Sequence, residues 1–549
     1  MSEKQTLRDN PTMRWIALLL LAFAMFCSYI FMDILSPIKD LMQDTRGWDS
    51  ASFGRMQGAE VFLNVYVFFL IFAGIILDKM GVRFTAVLSG AVMLVGGLIK
   101  FYAVSEAFMG TEMEHWFNTH LNWNVNIPFI GDILPFADGM PGSAKLAAIG
   151  FMIFGSGCEM AGITVSRGIV KWFKGRETAL AMGSEMALAR LGVATCMIFS
   201  PYFAKLGGEV HVENSVKFGV VLLCIALIMF IVYFFMDKKL DEQTGEAEEK
   251  DDPFKLSDLG KIFSSLGFWL VALLCVLYYS AIFPFQKYAV NMLQCNLTLN
   301  PADLNTYWGG STENFPISVT IVQYIIMLVV AICSFASNFS KKKGTKFGLM
   351  ALAIVFLVVY CYMGYMRGTA ETIFAVFPLL AVAITPILGN YVDHKGKAAT
   401  MLMLGSILLV VCHLTFAFVL PSFKGNAVGG TIIAYVTILV LGASFSLVPA
   451  ALGPSVPKLV DEKIIGSAYA AIFWIQNIGL GLFPTLIGNV LQKTNPEGTA
   501  AHELDYTWAL VMLAALGIAA LLISVYLKAV DKKKGFGLEE PNIKPDFMK

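Results

Sequence analysis

The sequence reads GIILDKMGVR at residues 74–83 and GNYVDHKGK at residues 389–397. Both stretches follow the pattern G-x-x-x-D-x-x-G with a basic residue after it, and both come directly after or at the end of an apolar run. Glycine allows a tight turn, and an aspartate beside basic side chains can form a charge cluster that holds one conformational state. A pattern that recurs in two parts of a chain indicates a parallel internal repeat, and therefore two similar half-bundles. The candidate gating residues are Gly74, Asp78, Gly81 and Arg83 in the first copy and Gly389, Asp393, Gly396 and Lys397 in the second.

The composition is that of a membrane protein. Of the 549 residues, 57% are hydrophobic and 15% are charged, and the apolar residues form long runs. Such runs indicate transmembrane helices, so we predict an all-α polytopic membrane protein. Forty basic and forty acidic residues balance, which leaves no overall positive field for nucleic acid. The cysteines lack metal-ligand spacing and the chain shows no phosphate-binding glycine loop. We therefore expect no metal, no cofactor and no enzymatic activity.

The apolar runs predict two six-helix halves and an inserted hairpin, about fourteen spans in all. The loop at 78–83 and the lysine-rich turn at 340–346 should face the cytoplasm by the positive-inside rule. An even number of spans then places both termini in the cytoplasm. The predicted organisation is an N-terminal half at 1–236, a charged cytoplasmic linker at 237–266, the first span of the C-terminal half at 267–290, an insertion with two extra spans at 291–370, the remainder of the C-terminal half at 371–528, and a cytoplasmic tail at 529–549.

Two charged residues fall where a bilayer disfavours them. Glu159 and Arg190 lie in the two apolar runs between residues 144 and 203, which the sequence WFKGRE at 172–177 joins. Counted from the ends of that joining loop at ~1.5 Å per helical residue, both charges sit ~18–20 Å deep, near the bilayer midplane. An ionisable group costs at least ~2.5–3.5 kcal/mol there and faces a partner or a cavity. The pair could neutralise each other in a salt bridge, or hold the two ends of a zwitterion between them.

The repeated loop pattern resembles the loop motif of the major facilitator superfamily. The central stretches GSGCE at 155–159, WFKGRE at 172–177 and MALARLG at 186–192 resemble the lysosomal dipeptide uniporter branch of that family. The same resemblance is carried by SYIFMD at 28–33, YYSAIFPF at 278–285, GSAY at 466–469 and IQNIGL at 475–480. It covers both halves of the chain, but neither the loop at 105–143 nor the segment at 297–367.

The resemblance implies a major facilitator fold that works by alternating access around a midplane site. In that branch the acidic residue of the first central motif is understood to hold the amino group of the peptide, and the arginine of the last motif its carboxylate. By position, these residues are Glu159 and Arg190. We therefore expect a carrier of short peptides, above all dipeptides, acting as a uniporter or a proton-coupled carrier. Its partners would be a small zwitterionic or anionic substrate, protons in the coupled case, and the lipid bilayer.

Further polar and aromatic residues in the spans are candidates. Tyr278 and Tyr279 precede Pro284, which is expected to interrupt the seventh span, and they either line the substrate site or pack between helices. Gln476 and Asn477 are uncharged hydrogen-bonding groups inside a span, so at least one should face a cavity or a neighbouring helix. The candidate gate or proton sites, each of which also has a structural explanation, are Asp33, Glu60, Glu185 and His413.

Two other functions stay open at this point. A proton-coupled carrier of another small organic anion would use Arg190 for the carboxylate and Glu159 for protons. A non-transporting membrane sensor or scaffold would use the hairpin at 317–365 as its docking surface, although a scaffold does not need two gating loops. We expect the bacterial cytoplasmic membrane as the location, while the stretch NLT at 296–298 also fits the acceptor pattern for N-glycosylation.

Overall fold

The computed structural model describes residues 6–127, 131–174, 176–244, 256–299, 317–340, 342–460 and 465–542. Parts of the predicted linker, insertion and tail, at 245–255, 300–316 and 543–549, lie outside these residues. Within the described residues, thirteen helices are long and apolar enough to cross a membrane. This confirms the predicted all-α polytopic architecture.

The helices of the N-terminal half are α1 (Pro11–Met32), α2 (Lys39–Arg46), α3 (Ser50–Gly58), α4 (Phe62–Tyr66), α5 (Phe69–Val104), α6 (Glu112–His120), α7 (Gly142–Trp172), α8 (Thr178–Ala204) and α9 (Val212–Thr244). The long helix α5 contains a break, because Gly81 has a non-helical φ of 80° and ψ of 168°. The second span is thus assembled from α3, a 3₁₀ turn at Ala59–Val61, α4 and the start of α5, and the third span follows the break. If the parts of α5 before and after Gly81 are counted as two spans, the thirteen apolar helices of the described residues correspond to fourteen spans, the number predicted from the sequence.

The loop between α5 and α7 has its own small structure. Besides α6 it contains a β-hairpin in which β1 (Asn126–Ile127) pairs antiparallel with β2 (Gly131–Asp132). The loop is fixed to the bundle where Lys145 donates to the carbonyl of Phe117 at 3.0 Å and to Asn122 at 2.6 Å. It therefore forms a cap on one end of the N-terminal half.

The helices of the linker and the C-terminal half are α10 (Leu256–Ser264), α11 (Leu266–Asn296), α12 (Ile317–Phe339), α13 (Lys343–Arg367), α14 (Ala370–Phe374), α15 (Val376–Lys395), α16 (Ala398–Leu414), α17 (Ala427–Leu459), α18 (Ile465–Thr494) and α19 (Thr507–Lys534). Helix α11 continues through Pro284, contrary to the interruption expected from the sequence. A proline removes one backbone hydrogen bond, but neighbouring helices in a membrane bundle can hold such a helix together.

The inserted hairpin of α12 and α13 packs on the outside of the bundle. The Tyr324 hydroxyl on α12 lies 3.1 Å from the Thr195 hydroxyl on α8, and Arg367 on α13 hydrogen-bonds to Gln323 and Thr320 on α12. Only 17% of the most apolar stretch of α13 is buried within the protein. The hairpin therefore holds a peripheral position, with α12 packed against α8 of the N-terminal half and α15 of the C-terminal half.

The two ends of the bundle differ. We call the end at which α1 begins and α19 ends the termini face, and the opposite end the distal face. At the distal face, a Cβ atom on Gly58 of α3 would overlap the backbone carbonyl of Gly481 on α18, and one on Gly54 would overlap that of Pro484. Glycines allow helices to approach this closely in a membrane. The two halves are therefore in backbone contact, and the distal face is closed.

Candidate functional site

Glu159 lies on α7 and contacts the opposite half of the protein. Its Oε1 atom accepts a hydrogen bond of 3.2 Å from the side-chain amide of Asn477 on α18. Asn477 is buried, with 3% of its surface exposed. The contact joins two residues that the sequence analysis proposed separately, and it places the carboxylate at the seam between the two halves.

Arg190 lies on α8 in a cage of aromatic rings. Its guanidinium carbon is 5.0 Å from the ring centroid of Phe445, 5.1 Å from that of Phe283 and 5.8 Å from that of Tyr29. A guanidinium is attracted to ring faces and keeps its N–H donors for another partner. Among the described residues, Arg190 forms no salt bridge within 4 Å with Glu159. In this conformation the two opposite charges therefore do not neutralise each other.

The two neighbouring tyrosines face different surroundings. Tyr279 stacks on Phe283 with 5.4 Å between ring centroids and meets Phe445 edge-on at 6.4 Å, so it extends the aromatic cage. Tyr278 is fully buried, and its hydroxyl lies 2.6 Å from the Ser444 hydroxyl on α17. The structure thus places Tyr279 against the rings that surround Arg190, and Tyr278 in the packing of α11 against α17. A substrate contact by Tyr278 stays a prediction.

The polar pair on α18 is divided in the same way. Asn477 reaches Glu159, whereas the Gln476 carbonyl accepts a weak hydrogen bond from the thiol of Cys275 at 3.2 Å. Successive residues on a helix point about 100° apart, so only one of the two can face a given partner. Gln476 lies against α11, and its contact with substrate is likewise untested.

A second charged cluster, which we call the distal lock, joins the halves near the distal face. The ammonium of Lys287 on α11 lies 2.9 Å from Asp33 and 3.7 Å from Glu60, two carboxylates of the N-terminal half. The neighbouring Gln286 donates a 2.6 Å hydrogen bond to the other oxygen of Asp33. The side chains of Lys287 and Asp33 are 8% and 1% exposed, so this ion pair is buried.

Sequence reasoning named Asp33 and Glu60 as gate candidates but missed the lysines. Lys287 follows the stretch at 278–285, and Lys100 stands inside the predicted third span. A lysine inside an apolar run is the same signal that singled out Glu159, and it was available for both residues.

The first gating loop is tied together within the N-terminal half. Gly81 makes the turn, Asp78 accepts a 2.7 Å salt bridge from Arg167 on α7, and Arg83 pairs with Asp241 on α9 at 2.9 Å. The loop therefore fastens α5 to α7 and α9 at the termini face, as expected of a charge cluster that sets the position of helices.

The second gating loop uses other partners. Asp393 accepts a 2.9 Å hydrogen bond from Asn542, and the backbone N–H of Lys397 donates to the carbonyl of Glu539 at 3.1 Å. Gly396 has a φ of 73°, and a Cβ atom there would overlap the backbone of residues 539 and 540. The segment after α19 thus fills the place that helices take in the first copy.

The first glycine of each motif has no close neighbour in this conformation. Among the residues that the structure describes, a Cβ atom on Gly74 or Gly389 would meet nothing within 4 Å. The same holds for Gly183 on α8 and Gly453 on α17, which also lie toward the termini face. The close helix approach expected of these glycines is therefore not made here, in contrast to the tight contacts of the distal face.

The chain is similar to known transporters in sequence and in fold. Lysosomal dipeptide transporter MFSD1 from Danio rerio is 24% identical over 524 residues, which cover 94% of this chain and 88% of that protein. The MFSD1 protein of Homo sapiens is 24% identical over 417 residues, with 74% and 70% covered.

Solved structures show the same architecture. Nucleoside transporter NupG superposes with a TM-score of 0.57 at 12% identity, covering 93% of this chain and 98% of its own. A structure from work on substrate recognition in proton dependent oligopeptide transporters gives a TM-score of 0.55 at 13% identity, with 96% and 100% covered. Residues 21–373 match the family described as Major Facilitator Superfamily. Because that match spans more than half of the chain, the protein belongs to the Major Facilitator Superfamily and is a membrane transporter rather than an enzyme.

Proposed function

We propose that this transporter carries short peptides, with dipeptides as the preferred substrates, by alternating access between the two membrane faces. The observation that carries the proposal is the pair Glu159 and Arg190, which lie on consecutive helices and form no salt bridge with each other. A fixed carboxylate and a fixed guanidinium bind the ammonium and carboxylate ends of a zwitterion through charge-assisted hydrogen bonds. Their separation selects the length of the substrate backbone.

Each charge also touches the C-terminal half, which links binding to movement of the halves. Glu159 meets Asn477 on α18, and Arg190 meets Phe283 on α11 and Phe445 on α17. A substrate held between residues of both halves has different contacts in each conformation, and a ligand can shift an equilibrium only through such differences. The site is therefore suited to exchange its contacts as the two faces open in turn.

The names of the relatives point the same way, because the matched MFSD1 proteins are lysosomal dipeptide transporters. The driving force in this proposal is the substrate gradient or a proton gradient. In this proposal the termini face and both termini lie in the cytoplasm, which the basic loops at that face support, and the bacterial cytoplasmic membrane is the proposed location.

The test is the thermal stability of the purified protein with a panel of ligands. The panel contains dipeptides, free amino acids and organic acids that lack an amine. A ligand that binds the folded state stabilises it by ~2.7 kcal/mol at a hundredfold its dissociation constant. The same panel is applied to Glu159→Gln and Arg190→Gln, with Glu497→Gln, an exposed residue between α18 and α19, as the matched control.

We expect dipeptides to raise the melting temperature of the wild type and the control, and to lose that effect in both site variants. If amine-free acids stabilise the protein as well as dipeptides do, and Glu159→Gln keeps that response, the substrate is a simple organic anion held by Arg190. If both variants keep the full dipeptide response, the charged pair does not bind substrate and the proposal is wrong.

A further inference from the structure

Beside the distal lock lies a lysine that its ion pairs do not use. Lys100 lies on α5 with none of its surface exposed, and its ammonium nitrogen has no hydrogen-bond acceptor among the described residues. It sits 3.6 Å above the ring centroid of Phe151 and 5.3 Å from that of Phe31. A buried ammonium without an anionic partner is costly, so this position needs a reason.

The two lysines come from opposite halves and lie near the same phenylalanine ring. The ammonium of Lys287 lies 5.8 Å from the centroid of the Phe151 ring that Lys100 covers, so the two nitrogens are no farther apart than the sum of their distances to that centroid. Asp33 and Glu60 both count among the charged neighbours of Lys100. Lys100, Asp33 and Glu60 belong to the N-terminal half, whereas Lys287 belongs to α11 of the C-terminal half.

Opening of the distal face must separate these groups. When the halves part, α11 withdraws Lys287, and the two carboxylates lose the cation that holds them. Removing one partner from a buried ion pair is strongly unfavourable, because it leaves an uncompensated charge. Lys100 moves with the carboxylates, and its flexible four-carbon stem lets the ammonium turn toward them.

We propose that the distal lock works by lysine exchange: Lys287 pairs with Asp33 and Glu60 while the distal face is closed, and Lys100 replaces it when the face opens. In the closed state Lys100 is held against aromatic rings, where a cation retains part of its stabilisation. In the open state Lys100 neutralises the carboxylates that Lys287 has left. Each conformation then has its own ion pair, which makes the element bistable.

The exchange is connected to the substrate site through the backbone. A Cβ atom on Gly155 of α7 would overlap the carbonyl of Glu60, so this segment rests directly on α7. Gly155 lies four residues before Glu159, one turn away on the same helix. The inference rests on the alternating-access part of the proposed function and not on the identity of the substrate.

The experiment measures the distance across the distal face by electron spin resonance. Spin labels are attached at Glu209→Cys, between α8 and α9, and Glu497→Cys, between α18 and α19, after the exposed Cys224 is replaced by serine. The protein is reconstituted without substrate, so that failure of the peptide proposal leaves the result intact. The variants are Lys287→Met and Lys100→Met. Lys145→Met is the matched control, because within the described part of the chain this buried lysine bonds only to neutral groups of its own half.

The two lysine variants should act in opposite directions. Lys287→Met removes the cation of the closed state and should raise the ratio of open to closed molecules about tenfold, within the usual range of coupling between states. Lys100→Met removes the cation of the open state and should lower that ratio about tenfold. Lys145→Met should leave it unchanged.

A double-mutant cycle separates exchange from a packing effect. In a Glu60→Gln background one carboxylate no longer needs a cation, so the effect of Lys100→Met should shrink to less than about a third. Lys100→Gln replaces Lys100→Met if the latter does not fold. The exchange is overturned if both lysine variants shift the ratio in the same direction, if Lys100→Met behaves as Lys145→Met does, or if its effect is undiminished in the Glu60→Gln background.

Discussion

The contact between α3 and α18 allows a quantitative prediction for the change Gly58→Ala. The added methyl group would overlap the backbone carbonyl of Gly481, and it would also meet the Thr485 hydroxyl at 3.2 Å. A backbone carbonyl cannot turn aside as a flexible side chain can, so the helices must move apart. Overpacking of this kind costs ~1–3 kcal/mol. Only the distal-closed state contains the contact, so the whole cost falls on that state.

At 1.4 kcal/mol per factor of ten, this cost raises the ratio of distal-open to distal-closed molecules by about 5- to 150-fold. The spin-label pair at residues 209 and 497 measures that ratio directly. Gly348→Ala is the matched control, because this exposed glycine lies in helix α13 of the peripheral hairpin and a Cβ atom there meets no described residue within 4 Å. An added methyl at Gly348 improves helix propensity by ~0.5–1 kcal/mol in both states and should leave the ratio unchanged.

Closure through the glycine contact is refuted if Gly58→Ala keeps the closed distance distribution of the wild type while remaining folded. It is also refuted if Gly348→Ala produces the same shift, because the change would then reflect a general loosening of the bundle. A shift in Gly58→Ala alone ties closure of the distal face to the glycine contact between α3 and α18.

Three further changes test single contacts. Asn477→Ala removes the partner of Glu159, and since hydrogen bonds to charged groups contribute ~1.5–3 kcal/mol, we expect dipeptide affinity to change by about tenfold or more in titration calorimetry. Tyr278→Phe removes a buried hydroxyl contact and should lower thermal stability by ~1 kcal/mol with unchanged dipeptide affinity; a loss of affinity would place this tyrosine in the site. Asp78→Asn weakens a partly exposed ion pair with Arg167, so we expect the free energy of unfolding to fall by ~0–1 kcal/mol. We also expect slower transport in liposomes; an unchanged rate would show that Asp78 has no gating role.

The architecture was accessible from sequence because its signals are local. Long apolar runs give spans, and the pattern at 74–83 and 389–397 gives the repeat. Gly81 makes the predicted turn, since its φ of 80° suits glycine. The predicted interruption of the seventh span at Pro284 was wrong, because it depends on more than the local sequence. A proline removes one backbone hydrogen bond, but whether the helix breaks depends on neighbouring helices that the local sequence does not identify.

The candidate site was only partly accessible. Polar residues inside spans can be named from sequence, as Glu159 and Asn477 were. Their mutual contact depends on how α7 and α18 cross, and 318 positions separate the two residues along the chain. Tyr278 and Tyr279 show the same limit, because a rotation of ~100° per residue decides which of two neighbours faces Arg190. The rotational phase of a helix with apolar residues on all sides is set by packing and not by its own pattern.

The two gating loops share a sequence pattern but are stabilised by different parts of the protein. In the first copy, Asp78 and Arg83 pair with charged side chains of α7 and α9, which belong to the same half and span the membrane. In the second copy the residues at 393–400 bind the segment at 538–542 through backbone groups, through Asn542 and through the Glu539 carboxylate, which accepts hydrogen bonds from Thr400. Ion pairs between helices couple the first loop to the movement of those helices. The second loop is instead held by the segment at 538–542, which packs against the junction of α15 and α16. The two copies of the motif therefore share the turn and the position of the aspartate, but each loop is held by different contacts.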